Sequence, residues 1–89
     1  ASGEKTFDDK VFLWDLIFSP DGKWLAAGGS DGMITLWDVP AGQVASRFPA
    51  HAQAVTSLAF NPGGRWLASG GLDAVIRLWD LSLISSSKP

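Results

Sequence analysis

Short runs of apolar residues alternate with groups of turn-forming residues along the chain, and this pattern predicts short β-strands. The groups SPDG at 19–22 and NPGG at 61–64 combine Pro, which presets one turn position, with Gly, which accepts a positive φ. Polar and apolar residues alternate only weakly between the turns, as expected for sheets that are covered on both faces. The pattern predicts an all-β fold with strands at 23–28, 33–38, 43–48, 53–60, 65–70 and 75–80.

The whole pattern occurs twice, so that Phe18 recurs as Phe60 and Asp38 recurs as Asp80. We call this constant spacing the repeat offset, and two residues that it relates are called counterparts. More than half of the residues at 18–39 are identical to their counterparts, and both copies contain Leu-Trp-Asp near their end. A period of roughly 40–45 residues that ends in Trp-Asp is typical of a β-propeller, in which each repeat forms one blade of four antiparallel strands. The chain is therefore predicted to form about two blades of a partial propeller.

Residues 1–16 allow two alignments with this repeat. In the first alignment, LWDL at 13–16 matches LWDL at 78–81, so that Trp14 lies in a third strand. In the second, the repeat offset continues backwards, and VFLWDLIF at 11–18 matches the inner first strand QAVTSLAF at 53–60. The first alignment is favoured because it also matches Asp8 with Asp73 and the Ala-Ser-Gly at the start with a second Ala-Ser-Gly.

The first alignment also determines the predicted organisation of the chain. It leaves out an outer strand and most of an inner strand between Leu16 and Ile17, which two residues cannot replace at ~3.3–3.6 Å per residue. A break in the chain after residue 16 is therefore expected. The predicted segments are a partial blade with second and third strands at 1–16, a first repeat at 17–51, a second repeat without its outer strand at 52–81, and a Ser-rich tail at 82–89.

Composition argues against several classes of function. The net charge of −2 gives no basic face for nucleic acid, and no apolar run approaches the ~20 residues that span a bilayer. One His and no Cys leave neither a transition-metal site nor a disulfide, and the Gly-Gly pairs do not form a phosphate-binding loop. We therefore expect no metal, no cofactor, no nucleic-acid partner and no membrane association. The lack of Cys is compatible with a cytoplasmic location.

Across residues 18–81 the chain resembles the WD-repeat propeller family. In that family a loop His, a second-strand Ser or Thr, a turn Asp and a third-strand Trp form a buried hydrogen-bonded network. Only the second repeat has all four residue types, so the resemblance implies the whole network there. The first repeat departs from the pattern because it has Ala27 in place of the Ser. The assigned residues are His51, Ser69, Asp73 and Trp79 in the second repeat and Asp31 and Trp37 in the first.

A Ser, a His and an Asp could also form a catalytic triad, in which the hydroxyl needs a base and the base needs an orienting carboxylate. Buried His, Ser and Trp side chains each require a hydrogen-bond partner, however, and the family network satisfies several of them at once. The structural role is therefore predicted for these residues, and no enzymatic activity is expected.

The resemblance implies a non-catalytic scaffold that binds other proteins. The partner contacts that it implies lie at the loop before each first strand and the turn before each third strand, namely at Phe7, Ser30, Ala54, Thr56 and Leu72.

Two alternatives remain open for the function. Two blades cannot close a ring, so the chain could complete a propeller by self-association, with three or four copies giving six or eight blades. The sequence from residue 18 also resembles the regulatory subunit of katanin, which implies targeting of microtubule severing and a cytoskeletal location.

Overall fold

The computed structural model describes Gly3 and residues 12–82, and within this part of the chain all regular structure is β-strand. The all-β prediction is confirmed, and each predicted strand overlaps an observed one closely. The strands are β1 (Leu13–Phe18), β2 (Trp24–Gly29), β3 (Met33–Asp38), β4 (Gln43–Pro49), β5 (Val55–Phe60), β6 (Trp66–Gly71) and β7 (Ile76–Asp80).

The strands form two antiparallel sheets in which neighbours along the chain are also neighbours in space. The first sheet has the order β1-β2-β3-β4, and the second has the order β5-β6-β7. The turns between strands follow the predicted chemistry, since Gly22 and Gly64 adopt positive φ at the ends of the two Pro-containing groups. The sheets have the strand order of propeller blades, so the prediction of a partial propeller is confirmed.

The position of β1 shows that the favoured alignment of residues 13–16 is wrong. Leu16 lies opposite Ala27 and Ile17 lies opposite Ala26, so both belong to one continuous inner strand. The repeat offset therefore continues into β1, and Trp14 is not a third-strand Trp. The expected break after Leu16 depended on the rejected alignment and has no remaining support. The other predictions for residues 1, 2, 4–11 and 83–89 lie outside the described residues.

The register of the inner strands gives independent support for the second alignment. A β-bulge lies between Leu13 and Asp15 in β1, and another lies between Val55 and Ser57 in β5, at the same place in the repeat. A bulge inserts one extra residue into a strand and redirects the side chain of that residue. Two strands with a bulge at the same place in the repeat therefore occupy equivalent positions. The extra residue is Trp14 in the first sheet and Thr56 in the second.

The two sheets pack face to face around one hydrophobic core. Ile34 and Leu36 on β3 are almost fully buried, and the second sheet contributes Val55, Leu58 and Leu67 to the same core. Burial of a side chain of this size contributes roughly 1.5–3 kcal/mol relative to an exposed one, so this core stabilises the packing of the two sheets.

A charged acceptor joins the inner strands of the two sheets. Asp15 on β1 accepts the backbone N–H of Leu58 on β5 at 2.8 Å and the backbone N–H of Leu16 at 2.8 Å. A hydrogen bond to a carboxylate is shorter and stronger than one between neutral groups. Asp15 therefore fixes the register of one sheet relative to the other.

We predict that Gly28→Ala destabilises the protein by opening the contact between the sheets. A Cβ atom at residue 28 would lie 2.6 Å from Cγ1 and 2.8 Å from Cβ of Val55, which is fully buried. Overpacking of this kind costs typically about 1–3 kcal/mol. Gly63→Ala is the matched control, because its Cβ would meet only the Asn61 side chain at 4.0 Å. Equal thermal unfolding midpoints for the two variants would contradict the prediction.

Candidate functional site

The loop that joins the two sheets holds the His side chain on which the polar network is centred. His51 lies between β4 and β5, and the backbone N–H groups of Ala50 and His51 both donate to the carbonyl of Gly32. Gly32 has a φ of 82°, and a Cβ there would collide with the carbonyl oxygen of His51. The loop can therefore approach this turn only because residue 32 is Gly.

The structure brings the four network residues of the second repeat together. His51 Nδ1 lies 3.0 Å from Asp73 Oδ1, and His51 Nε2 lies 2.8 Å from Ser69 Oγ. The indole N–H of Trp79 donates to the same Ser69 oxygen at 2.9 Å. No buried polar side-chain atom among the described residues is left without a hydrogen-bond partner.

Donor and acceptor chemistry fixes both ends of this network. The indole N–H of Trp79 can only donate, and an ionised Asp73 carboxylate can only accept. Ser69 Oγ therefore accepts from Trp79, and Nδ1–H of His51 donates to Asp73. The remaining hydrogen bond joins Ser69 Oγ to Nε2 of His51, and a hydroxyl can either donate or accept there.

Asp73 also fixes the backbone on both sides of the network. Its carboxylate accepts the N–H of Ala52 in the loop at 3.1 Å and the N–H of Val75 after the turn at 3.2 Å. Burial acts to raise the pKa of Asp73, but these two N–H groups and His51 together hold that pKa below its ordinary value of 3.8. The ionised carboxylate therefore stabilises the folded loop.

The network has the order of a catalytic triad, but its serine is enclosed. Ser69 is 2% exposed, and its oxygen already accepts the indole N–H of Trp79. A nucleophile must reach its substrate, and this side chain is almost fully buried. The ring of Trp79 packs against Phe48 of the first sheet with centroids 4.8 Å apart, which closes the site further. The geometry suits a structural role, and we call the hydrogen-bonded set of His51, Ser69, Asp73 and Trp79 the brace.

Beside the brace lies an open pocket of about 270 Å³. Arg77 and Trp79 line it together with residues 49–52, which lead from the end of β4 into the loop. The described residues contain no group of three or more His, Cys, Asp or Glu side chains that could hold a metal ion. In the same part of the chain, no helix is long and apolar enough to cross a membrane.

The first sheet does not reproduce the brace with its described residues. Asp31 is exposed and accepts the backbone N–H of Met33 at 3.1 Å, which stabilises its own turn. Trp37 is buried in β3, but Ala27 offers no hydroxyl at the position of Ser69. The counterpart of His51 is residue 9, which lies outside the described residues.

The partner-contact positions predicted from the sequence differ in their accessibility. Ser30 and Leu72 are exposed, and their N–H groups donate to the carbonyls of Phe12 and Ala54 at the starts of the inner strands. Thr56 is half-buried and its hydroxyl donates to a backbone carbonyl on β6. Ala54 is buried because it lies under the turn, so its side chain is not available to a partner. The remaining predicted position, Phe7, lies outside the described residues.

Sequence reasoning missed two aromatic residues at the equivalent places of the first sheet. Phe12 and Trp14 are the counterparts of Ala54 and Thr56, and they are 83% and 55% exposed. The wrong alignment concealed them, because it placed Trp14 in a third strand. The unbroken repeat offset is the signal that identifies them.

An ion pair beside the second sheet was also missed. Arg65 donates to both carboxylate oxygens of Asp80, at 3.1 and 2.9 Å, and Ser82 donates to Asp80 as well. The guanidinium of Arg65 is the main reason that the pKa of Asp80 lies well below its usual range. The pair fixes the turn after β7, although exposed ion pairs contribute little stability.

We predict that His51→Ala destabilises the protein by roughly 1–3 kcal/mol, because Ser69 and Asp73 then lose a buried partner. Ser69→Ala should also destabilise it, since it leaves the indole N–H of Trp79 without its acceptor. Gln53→Ala, an exposed residue of the same loop, is the control. Chemical denaturation measures the free energies of unfolding, and equal values for His51→Ala and Gln53→Ala would rule out the brace.

The lowered pKa of Asp73 predicts a stability difference that depends on pH. The carboxylate stabilises the folded state above its ordinary pKa of 3.8, and this stabilisation is lost as the pH falls through the lowered folded-state value. The melting temperatures of wild type and Asp73→Asn should therefore differ most near neutral pH and converge as the pH falls below about 4. A difference that stays constant from neutral pH to pH about 2.5 would contradict a role for the ionised carboxylate.

Comparison with known proteins agrees with this architecture. Crystal structures of RRP9 WD40 repeats and of the Cps50 (Swd1) β-propeller domain of Myceliophteria thermophila superpose with TM-scores of 0.81 and 0.79. The sequence identities are 23% and 29%. The matches cover 88% and 90% of this chain, and 25% and 24% of the two solved chains.

Two curated relatives match about half of the chain. A probable cytosolic iron-sulfur protein assembly protein 1 of Cryptococcus neoformans is 43% identical over 53 residues, which are 53% of this chain and 12% of the relative. The general transcriptional corepressor TUP1 of Saccharomyces cerevisiae is 38% identical over 48 residues, which are 54% of this chain and 7% of the relative. The chain thus spans only a small part of the length of these relatives.

The family model for the WD domain, G-beta repeat matches residues 4–38 and 42–80. Both matched segments end in the Trp-Asp of a third strand, β3 or β7, and together they cover more than half of the sequence. The chain therefore belongs to the WD domain, G-beta repeat family.

Proposed function

We propose that this chain is a non-catalytic protein–protein interaction scaffold within a WD-repeat β-propeller. Two of its curated relatives are named for iron-sulfur protein assembly and for transcriptional corepression. Names that differ so widely favour a shared binding surface over a shared reaction. Partners would then be selected by the side chains on that surface.

Three exposed apolar residues carry the proposal. We call Phe12, Trp14 and Leu72 the rim anchors. Phe12 and Trp14 lie at the start of the inner strand β1, and Leu72 lies in the turn before β7, where its N–H donates to the carbonyl just before β5. Each of them exposes more than half of its surface. Trp is among the residues that contribute most to binding at protein interfaces.

The rim anchors rest on a rigid support. The N–H of Ser30 donates to the carbonyl of Phe12 at 2.8 Å, and the N–H of Leu72 donates to the carbonyl of Ala54 at 3.0 Å. Asp73, next to Leu72, is tied to the loop by the hydrogen bond that it accepts from residue 52. A surface held in place before binding loses less conformational entropy when a partner docks.

The burial of Ser69 supports the non-catalytic part of the proposal, because its side chain is 2% exposed and its oxygen already accepts the indole N–H of Trp79. A protein partner is also favoured over nucleic acid, since the net charge is −2. A cytoplasmic location is proposed because one relative is named as a cytosolic protein. Neither named relative supports the resemblance to the katanin regulatory subunit or a cytoskeletal location.

We predict that the double variant Trp14→Ala/Leu72→Ala loses partner binding while it retains its fold. Affinity capture followed by quantitative mass spectrometry identifies proteins that the wild type enriches, and purified partners then give dissociation constants. The variant should bind them about tenfold or more weakly, as expected when central anchors are truncated. Val44→Ala is the matched control, because Val44 is similarly exposed but lies on the outer strand β4. Equal binding by the double variant and the control would refute the rim anchors.

A further inference from the structure

We propose that Asp15 is a positioning residue, which holds the rim anchor Trp14 in place by joining the inner strands of the two sheets. This role rests on the proposed function, because the orientation of Trp14 matters only if the rim binds a partner. Trp14 is the extra residue of the bulge in β1, and the extra residue of a bulge is left unpaired in the strand ladder. A contact other than strand pairing must therefore fix its orientation.

The second repeat fixes its bulge residue with the side chain of that residue. The hydroxyl of Thr56 donates to the carbonyl of Gly70 on β6 at 3.2 Å, and Thr56 is half-buried. Its counterpart Trp14 has no hydroxyl and is 55% exposed. Trp14 therefore needs a different support if its side chain is to stay accessible to a partner.

The residue after Trp14 supplies this support. Asp15 Oδ1 accepts the N–H of Leu16, and Oδ2 accepts the N–H of Leu58, both at 2.8 Å. We call these two hydrogen bonds the Asp15 clamp. The counterpart of Asp15 is Ser57, so the second repeat has no carboxylate at this position. The clamp is thus a feature of the strand that carries Trp14 and is not a requirement of the repeat.

The Asp15 clamp joins the end strands of the two sheets. β1 lies at one end of the order β1-β2-β3-β4, and β5 lies at one end of the order β5-β6-β7. A strand at the end of a sheet presents N–H groups that no neighbouring strand accepts, and here a carboxylate accepts one of them from Leu58. Asp15 itself lies opposite Gly28, the residue on which Val55 packs. The clamp therefore ties the bulge of β1 to the closest contact between the sheets.

Trp14 is consequently held on both sides. Before it, the carbonyl of Phe12 accepts the N–H of Ser30 at 2.8 Å. After it, the Asp15 clamp holds β1 against β5. Without the clamp only the first attachment remains, and Trp14 gains freedom. A partner must then order Trp14 again when it binds, which costs free energy and lowers the affinity.

NMR relaxation of the indole N–H groups tests this role without a partner. Trp14→Phe identifies the signal of Trp14 among the five Trp residues. In Asp15→Ala the order parameter of the Trp14 indole should fall, while those of the other four indoles stay as in the wild type. An unchanged value for Trp14 would overturn the proposal, and so would a fall that extends to all five indoles.

Asp21→Ala is the matched control for this measurement. Asp21 also accepts a backbone N–H, from Lys23 at 3.0 Å, but this bond lies within the turn between β1 and β2. The order parameter of Trp14 should not change in this variant. If Asp15→Ala does not fold, Asp15→Asn replaces it, because an amide has one acceptor oxygen and cannot keep both bonds of the clamp.

Partner affinity separates positioning from a general loss of stability. The probe is the purified partner that the capture experiment above enriches most. Asp15→Ala should weaken its binding about two- to tenfold, the cost of ordering one side chain, and should have no further effect in a Trp14→Ala background. Asp21→Ala should bind like the wild type. Equal losses with and without Trp14 would overturn the proposal, because Asp15 would then act independently of the anchor.

The two proposals fail in different ways. If Trp14→Ala/Leu72→Ala binds as tightly as the wild type, the proposed function fails, and the order parameter of Trp14 still reports whether Asp15 positions it. If that double variant loses binding while Asp15→Ala binds normally, the rim anchors stand and the role of Asp15 is refuted.

Discussion

The fold depends on one constraint, which is that each sheet has two apolar faces and must cover at least one of them with the next sheet. Ile34 and Val55 reach full burial only because they meet across this contact. Gly28 sets the separation, since Val55 occupies the space where its side chain would be. The sheets cannot pack this closely with any larger residue at position 28, so this position sets the distance between them.

The brace stabilises the same contact from the side. His51 belongs to the loop that crosses from one sheet to the other, while Ser69, Asp73 and Trp79 belong to the second sheet and its turn. Closing the network therefore fixes the loop against the turn, and with it the surface on which Leu72 is presented. A fully satisfied buried polar network favours one arrangement over its alternatives, because any other leaves donors without acceptors.

The sequence alone was sufficient for the fold class and most strand positions, since the turns and the repeat offset are signals that lie along the chain. Sequence reasoning misplaced Trp14, because Leu-Trp-Asp at 13–15 resembles the end of a third strand. The pairing of β1 with β2 shows that these residues belong to an inner strand. The burial of Ala54 and the bond from Leu58 to Asp15 depend on how elements pack in space. No pattern along the chain reports such contacts.

The two repeats have diverged in complementary ways. The second repeat has the hydroxyl and the loop His of the brace, but Ala54 and Thr56 give its rim little apolar surface. The first repeat has Ala27 in place of that hydroxyl, and its rim has Phe12 and Trp14 at the same positions. An anchor that binds a partner gains from a fixed support, because ordering it during binding costs free energy. The brace of one repeat therefore lies close to the proposed anchors of the other, since the loop that contains the brace His donates two hydrogen bonds to the turn before β3 of the first sheet.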